Sequence, residues 1–279
     1  MPPDTDPAVD APARHRADQR SRPTGLLIVN ADDWGRTPET TDRIDECLRR
    51  GAVSSVSAMM FMEDSERAAA MALEHGTDAG LHVNFTTPFS SARCPESLRM
   101  HQQALSRWLR RGRFAQVMFH PGLVGPFAYV VAAQVDEFSR LYGGQPDRFD
   151  GHHHMHLCTN VLLQRLIPDG TIVRRSFSFQ AGEKGRLNRL YRGAVDRALA
   201  RRYRIVDRFF SLAPLEPVSR RQRIFSVARQ LVVELETHPV EPPEYRFLMS
   251  GDLTQRARGL TIIRPSAVPW SSRGRGKDR

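Results

Sequence analysis

The sequence predicts an α/β fold on a parallel sheet, expected to curl into an irregular seven-stranded TIM-like (β/α) barrel. Three observations carry that expectation. Short apolar runs alternate with segments of helical periodicity along most of the chain. Glycines stop the helical segments and polar residues bound the apolar runs. Chemistry-bearing side chains recur at the carboxyl ends of the apolar runs, where barrels and open α/β sheets alike place their sites. A length of 279 residues, 40% hydrophobic, suits one such domain. Periodicity alone does not say whether the sheet closes.

Residues 1–23 mix Pro, Asp, Ala and Arg without an apolar run, so they read as a disordered leader and not as a secretory signal. The run 26–29, Leu-Leu-Ile-Val, lies between Gly25 and Asn30, as expected of a buried parallel strand. A helix over 38–50 opens on Pro38 and stops at Gly51. A second strand is expected over 53–61, then a helix capped by Asp64, running to His75 and ended by Gly76. A third strand follows over 79–85. Helices over 96–113 and 127–142 lead to Gly143-Gly144 and a fourth strand at 148–151 that runs into a histidine tract. A helix over 159–167 and a strand at 171–175 come next. From 185 to 203 the apolar residues Leu187, Leu190, Tyr191, Ala194, Ala198 and Leu199 keep helical spacing, as in an amphipathic helix. Strands at 205–210 and 231–236, with a helix between them, complete seven. The expected organisation is a leader at 1–23, a single barrel domain at 24–262 and a basic disordered tail at 263–279.

Charge is less informative than it first looks. The net charge is +10, but only Lys184 and Lys277 of the 41 basic residues are lysine. That bias resembles a coding preference more than selection for phosphate contacts. Residues 183–229 hold 13 basic against four acidic residues, and no aromatics are interleaved as in a single-strand binder. A solvated face explains this segment, and an anionic substrate or membrane surface would also fit it. Cys47, Cys94 and Cys158 show no zinc-like spacing, which suggests reduced thiols and a cytoplasmic setting. No run reaches the length of a membrane span.

The most informative segment is Phe149-Asp-Gly-His-His-His-Met-His156. Four imidazoles within five positions are hard to explain as packing, because histidine buries poorly without partners and is a common metal ligand. Read as extended chain, His152, His154 and His156 project one way and His153 the other. Asp32 and Asp33 end the first strand. Taken alone they could cap a helix, but adjacent carboxylates pointing different ways can also divide metal binding from proton transfer. His82 ends the third strand, and Thr237-His238 the last. Four strand ends thus deliver carboxylates and imidazoles to one rim, the usual composition of a hydrolytic metal centre.

These residues resemble the YdjC/ChbG-like carbohydrate deacetylases, which include chitooligosaccharide deacetylases and hopanoid-associated relatives. The family pattern runs Ala-Asp-Asp-Phe-Gly, Gly-Leu/Met-His before a Thr, Asp-Ser-His-His-His-x-His, and a late Cys-His-Pro. This chain has Asn30-Ala-Asp-Asp-Trp-Gly35, Gly80-Leu-His-Val-Asn-Phe-Thr86, Asp150-Gly-His-His-His-Met-His156 and Thr237-His-Pro239 in the same order. It departs at Trp34 for Phe, Gly151 for Ser and Thr237 for Cys, and none of these removes a ligand. The resemblance implies Asp33, His82 and His152 as metal ligands. By looser analogy with polysaccharide deacetylases, it implies Asp32 and His238 as the catalytic pair. A competing His-Pro, His120-Pro121, ends no strand. The implied reaction is hydrolysis of an N-acetyl group from an amino sugar with a divalent cofactor, Mg²⁺ or Zn²⁺. The family looks magnesium-associated, whereas imidazole ligands do not favour Mg²⁺. The expected partner is an N-acetylated sugar, with no nucleic acid and no transmembrane segment, and homo-oligomerisation is left open. The competing class is a metal-dependent phosphoesterase, set back by the few carboxylates identified at the rim.

Overall fold

The computed structural model describes residues 25–112, 114–179 and 183–270. The expected leader at 1–23 lies outside these residues, as do 271–279 of the expected tail. The elements are β1 (Leu26–Trp34), α1 (Pro38–Arg49), β2 (Ser55–Ala58), α2 (Ser65–His75), β3 (Ala79–Val83), α3 (Glu96–Leu109), α4 (Val124–Tyr142), β4 (Arg148–Gly151), α5 (Thr159–Gln164), β5 (Ile172–Val173), α6 (Arg186–Ala200), β6 (Arg208–Ser211), α7 (Val218–Ala228), β7 (Val232–Thr237), α8 (Pro242–Met249), α9 (Asp252–Arg256) and β8 (Thr261–Ile262). All seven expected strands are present. The short β8 was not foreseen, because two residues are too few to show a period.

Every strand pairing is parallel, in the order β5-β4-β3-β2-β1-β7-β6, with β8 on the first residues of β1. The two ends of that series meet through irregular chain. Val173 donates to the Arg204 carbonyl at 2.9 Å, and Ser178 donates to the Phe209 carbonyl at 2.9 Å. The sheet is therefore a curled, irregular barrel with one loosely joined seam, as the seven-stranded TIM-like expectation anticipated.

Alternation along the strands sorts side chains into two layers. Leu27, Val29 and Ala31, with Val56, Leu81, Phe149, Val233 and Leu235, face outward under the helices and form the main core. The inward positions divide by height. At the amino-terminal end Leu26, Ile28, Val206, Phe209, Val232 and Val268 form an apolar plug. Above it, Asn30, Asp32, Ser55, Ser57, His82, Arg148, Asp150, Glu234 and Glu236 are all buried. Val268 and its neighbours Ile263 and Trp270 belong to the plug, so the expected tail from 263 begins with packed chain as far as Trp270.

One local expectation needs correction. The histidine tract is not extended: after Gly151 it winds into a 3-10 turn, with His153 (φ 54°) and His154 (φ 58°) left-handed. The alternating projection of its imidazoles is lost. In α6 the helical spacing holds, but its apolar residues divide: Leu199 is buried beside Asp196, whereas Leu187 is 83% exposed.

The departure at Gly151 has a steric reason. A Cβ built there would lie 2.8 Å from the His156 amide nitrogen, inside van der Waals contact with backbone. Gly80 is under similar pressure, its missing Cβ falling 2.7 Å from the Arg148 Cζ. Gly151→Ala is therefore expected to destabilise the protein by about 1–3 kcal/mol. A urea midpoint lowered at unchanged slope would register this, and a midpoint equal to that of the parent would refute the steric account.

Candidate active site and metal centre

The site begins with a break in β1. Asp32 points into the barrel by ordinary alternation, and Asp33 would then point away. Instead Asp33 adopts φ 69°, Gly35 φ 84°, and the pairing of β1 with β2 slips between Ala31 and Trp34. Both carboxylates consequently reach the interior. Trp34 is fully buried and anchors the turn by donating its indole N–H to the Ala68 carbonyl at 3.1 Å.

Asp33 meets His82 and His152. Its Oδ1 lies 3.5 Å from His82 Nε2 and 2.9 Å from His152 Nδ1. Its Oδ2 accepts from Arg36 at 2.8 Å. Oδ1 is buried and, among the described residues, meets no donor besides these two imidazole nitrogens. The far side of each imidazole is fixed: His82 Nδ1 sits 2.7 Å from Asp150 Oδ1, and His152 Nε2 sits 2.9 Å from Thr87 Oγ1. Such contacts orient a ligating ring and leave the other nitrogen for a cation. Asp33, His82 and His152 can each offer one ligand atom, and these atoms lie within 4.8 Å of one another. Burial opposes charge on Asp33, but His152 and His82 outweigh it and hold the carboxyl well below its usual range. Burial likewise opposes charge on His82, yet Asp32 and Asp150 push that imidazole up to about 10.

Asp32 is held by a residue that sequence reasoning missed. Arg174, just past β5, is almost wholly buried and grips both Asp32 oxygens at 2.7 Å. The same guanidinium binds Glu234 at 2.7 Å and Asp150 at 3.1 Å, and reaches Glu236 at 3.6 Å. Burial works against ionised Asp32, but Arg174 and then His82 keep its carboxyl below the ordinary range. Glu236 goes the other way, pushed well above its usual range by burial and by the negative charge of Asp32. The carboxylate count here exceeds the sequence expectation. Val232-Val-Glu-Leu-Glu-Thr237 carries glutamates at alternate positions of an apolar strand, and that period-2 pattern was a usable signal. Arg174 carried none, being one arginine among many.

His238, at the end of β7, joins Asp32 and Glu236 in a second cluster whose ligand-type atoms also lie within 4.8 Å of one another. Its side chain is 29% exposed, with Nδ1 3.8 Å from Glu236 Oε1. A third grouping, Asp32 with His82 and Asp150, connects the two. The remaining histidines of the tract diverge. His153 packs against His152 with ring centres 4.0 Å apart and bonds Thr86, so it does not face away. His154 lies against Phe177 and 3.5 Å from Glu236. His156 turns back to the Arg174 carbonyl at 2.9 Å. His120 packs on Trp108, and none of its described contacts reaches the aspartates.

Several curated proteins are similar to this chain over part of its length. A chitooligosaccharide deacetylase of Proteus mirabilis (strain HI4320) is 33% identical over 136 residues, 49% of this chain and 52% of that protein. One from Enterobacter sp. (strain 638) is 34% identical over 133 residues, 47% of this chain and 50% of that protein. A human carbohydrate deacetylase is 32% identical over 144 residues, 50% of this chain and 44% of that protein. The chain thus spans about half the length of the curated relatives it matches. In fold it is similar to a crystal structure from Enterococcus faecalis V583 of a protein named for cellobiose-phosphate cleavage, with a TM-score of 0.63, 18% identity, and coverage of 87% of this chain and 98% of that one. The family model described as YdjC-like protein matches residues 26–261, nearly the whole barrel and every strand end that builds the site, and the chain belongs to that family.

Proposed function

We propose that this protein is a metal-dependent hydrolase that removes an N-acetyl group from an amino sugar, an N-acetylated saccharide or a glycolipid. The observation that carries the reading is Asp33 Oδ1, a buried acceptor that, among the described residues, meets only a nitrogen of each of two imidazoles whose other nitrogens are already engaged. Such a donor set fits a divalent cation, and Asp33, His82 and His152 would hold it. Two imidazoles suit Zn²⁺ on ligand softness, whereas the family resemblance points to Mg²⁺. A bound ion would polarise the acetamide carbonyl and offset the charge that grows on its oxygen.

The protein's own groups handle the protons. Asp32 is kept ionised and aimed by the bidentate grip of Arg174, so it can take a proton from the attacking water. Water adds to the carbonyl carbon, the C–N bond breaks, and acetate leaves. His238, partly exposed at the mouth, supplies the proton that the departing amine requires. Glu236 packs beside it. Arg174 is committed to carboxylates and offers no free guanidinium to a phosphoester, which disfavours the phosphoesterase alternative. The cysteines Cys47, Cys94 and Cys158 are free and buried, which supports a reducing, cytoplasmic setting.

Acetate released from N-acetylated mono-, oligo- and lipid-linked sugars, only when divalent metal is present, would establish the activity. Phosphate released from phosphoesters under the same conditions would replace it with the alternative. Asp33→Ala, His82→Ala and His152→Ala should each abolish both metal retention and turnover, as read by elemental analysis of the purified variants. Full metal occupancy in all three would refute the ligand set.

Asp32→Asn keeps the shape of the side chain but removes the base. Metal should be retained while kcat falls by about 10²- to 10⁴-fold, with a comparable loss for His238→Asn. Loss of metal in Asp32→Asn together with its retention in Asp33→Asn would reverse the roles of the two aspartates.

A further inference from the structure

Helix α6 presents an apolar stripe that nothing in the described structure covers. It is anchored on its other side, where Asp196 accepts from Arg175 at 2.6 Å and from the Ser176 amide at 3.0 Å. Leu187, Leu190 and Tyr191 are left 83%, 65% and 45% exposed. A second exposed apolar group lies in the connection between α3 and α4, where Phe114 is 77% and Met118 53% exposed. The helix α5 adjoins this second group. Its first residue, Thr159, donates to the Gln116 carbonyl at 2.9 Å, and its outer face carries Leu163, 65% exposed. Monomeric proteins seldom cluster exposed large apolar side chains in this way without a partner.

Position and charge identify the partner. In a parallel barrel each helix starts at the carboxyl ends of the strands, so the first turns of α4, α5 and α6 rim the mouth of the site. Lys184 and Arg192 lie over Phe179, at 5.5 and 5.1 Å, and His154 rests against Phe177. Cations flank the apolar groups. Arg110 closes α3, while Arg186 and Arg197 edge the stripe on α6, and among the described residues no carboxylate is in ion-pair range of these three. With a net charge of +10, a second copy of this chain would bring like charge against like. A negatively charged lipid surface complements both the apolar and the cationic features. Among the described residues no helix is long and apolar enough to cross a membrane, so contact would be made at the headgroup level.

We propose that the rim formed by α6, α5 and the α3–α4 connection docks on an anionic phospholipid bilayer, with Leu187, Leu190 and Phe114 entering the headgroup layer and the mouth of the site facing it. The inference rests on exposure and charge and does not depend on the deacetylase reading.

Co-sedimentation of the full chain with vesicles tests it without any activity measurement. The protein should pellet with phosphatidylcholine–phosphatidylglycerol vesicles, less at high salt, and remain in solution with phosphatidylcholine alone. The double variant Leu187→Glu/Leu190→Glu should bind at least about tenfold more weakly, with an unchanged melting temperature because both side chains are exposed. Should that variant prove unstable, Arg186→Glu/Arg197→Glu, altered only at exposed positions, should lose the anionic preference instead. The proposal is overturned if the parent fails to pellet with anionic vesicles, or if a folded variant binds like the parent. It is also overturned if light scattering shows a dimer that the same variants dissociate, since a second copy would then be the occupant.

Discussion

The barrel interior depends on the buried guanidinium of Arg174. Arg174 gathers Asp32 from β1, Asp150 from β4, and Glu234 and Glu236 from β7, so strands far apart in sequence are tied at one point. Four buried carboxyl groups would repel one another without cations among them, and Arg148 also reaches Asp150 at 3.2 Å. Their balance still differs: Asp32 and Asp150 are held low, while burial pushes Glu234 and Glu236 upward. Replacing one member of such a network leaves others buried and unpaired, which typically costs about 3–5 kcal/mol. Its value therefore lies less in net stability than in fixing where Asp32 points.

This arrangement is possible because the interior is divided by height. The apolar plug around Ile28, Phe209 and Val232 supplies hydrophobic burial at the closed end and leaves the upper half for polar groups. Phe209 marks the boundary, with the Arg174 guanidinium 5.0 Å above its ring. The site also stores backbone strain. Asp33, His153 and His154 all have positive φ, a conformation that costs non-glycine residues about 1–3 kcal/mol each. At Asp33 the result is visible: two consecutive carboxylates face the same cavity, one towards Arg174 and the other towards the imidazoles.

Much of this was legible beforehand. Apolar runs bounded by Gly25 and Asn30, or by Gly143-Gly144 and the histidine tract, located the strands, since a strand buried on both faces has to be apolar and has to stop where the chain turns. Asp32, Asp33, His82, His152 and His238 were each recognisable as polar residues at strand ends. Glu234 and Glu236 were legible in principle from their alternation within β7. On α6 helical periodicity revealed a two-faced helix but not which face meets the barrel, and here the anchor is Asp196.

The sequence by itself determined the parallel α/β plan, the order of the strands along the chain and the aspartates and histidines that stand at the strand ends. All of these follow from local composition and period, which are written in neighbouring residues. Only the tertiary structure decided that Arg174 is the clamp, that Asp33 turns inward, and that the four histidines of the tract reach four different neighbours. Those outcomes depend on contacts between residues as far apart as Asp32 and Arg174, and on steric limits such as the one at Gly151, where a Cβ would meet the backbone of His156. No local pattern encodes a distance across a barrel.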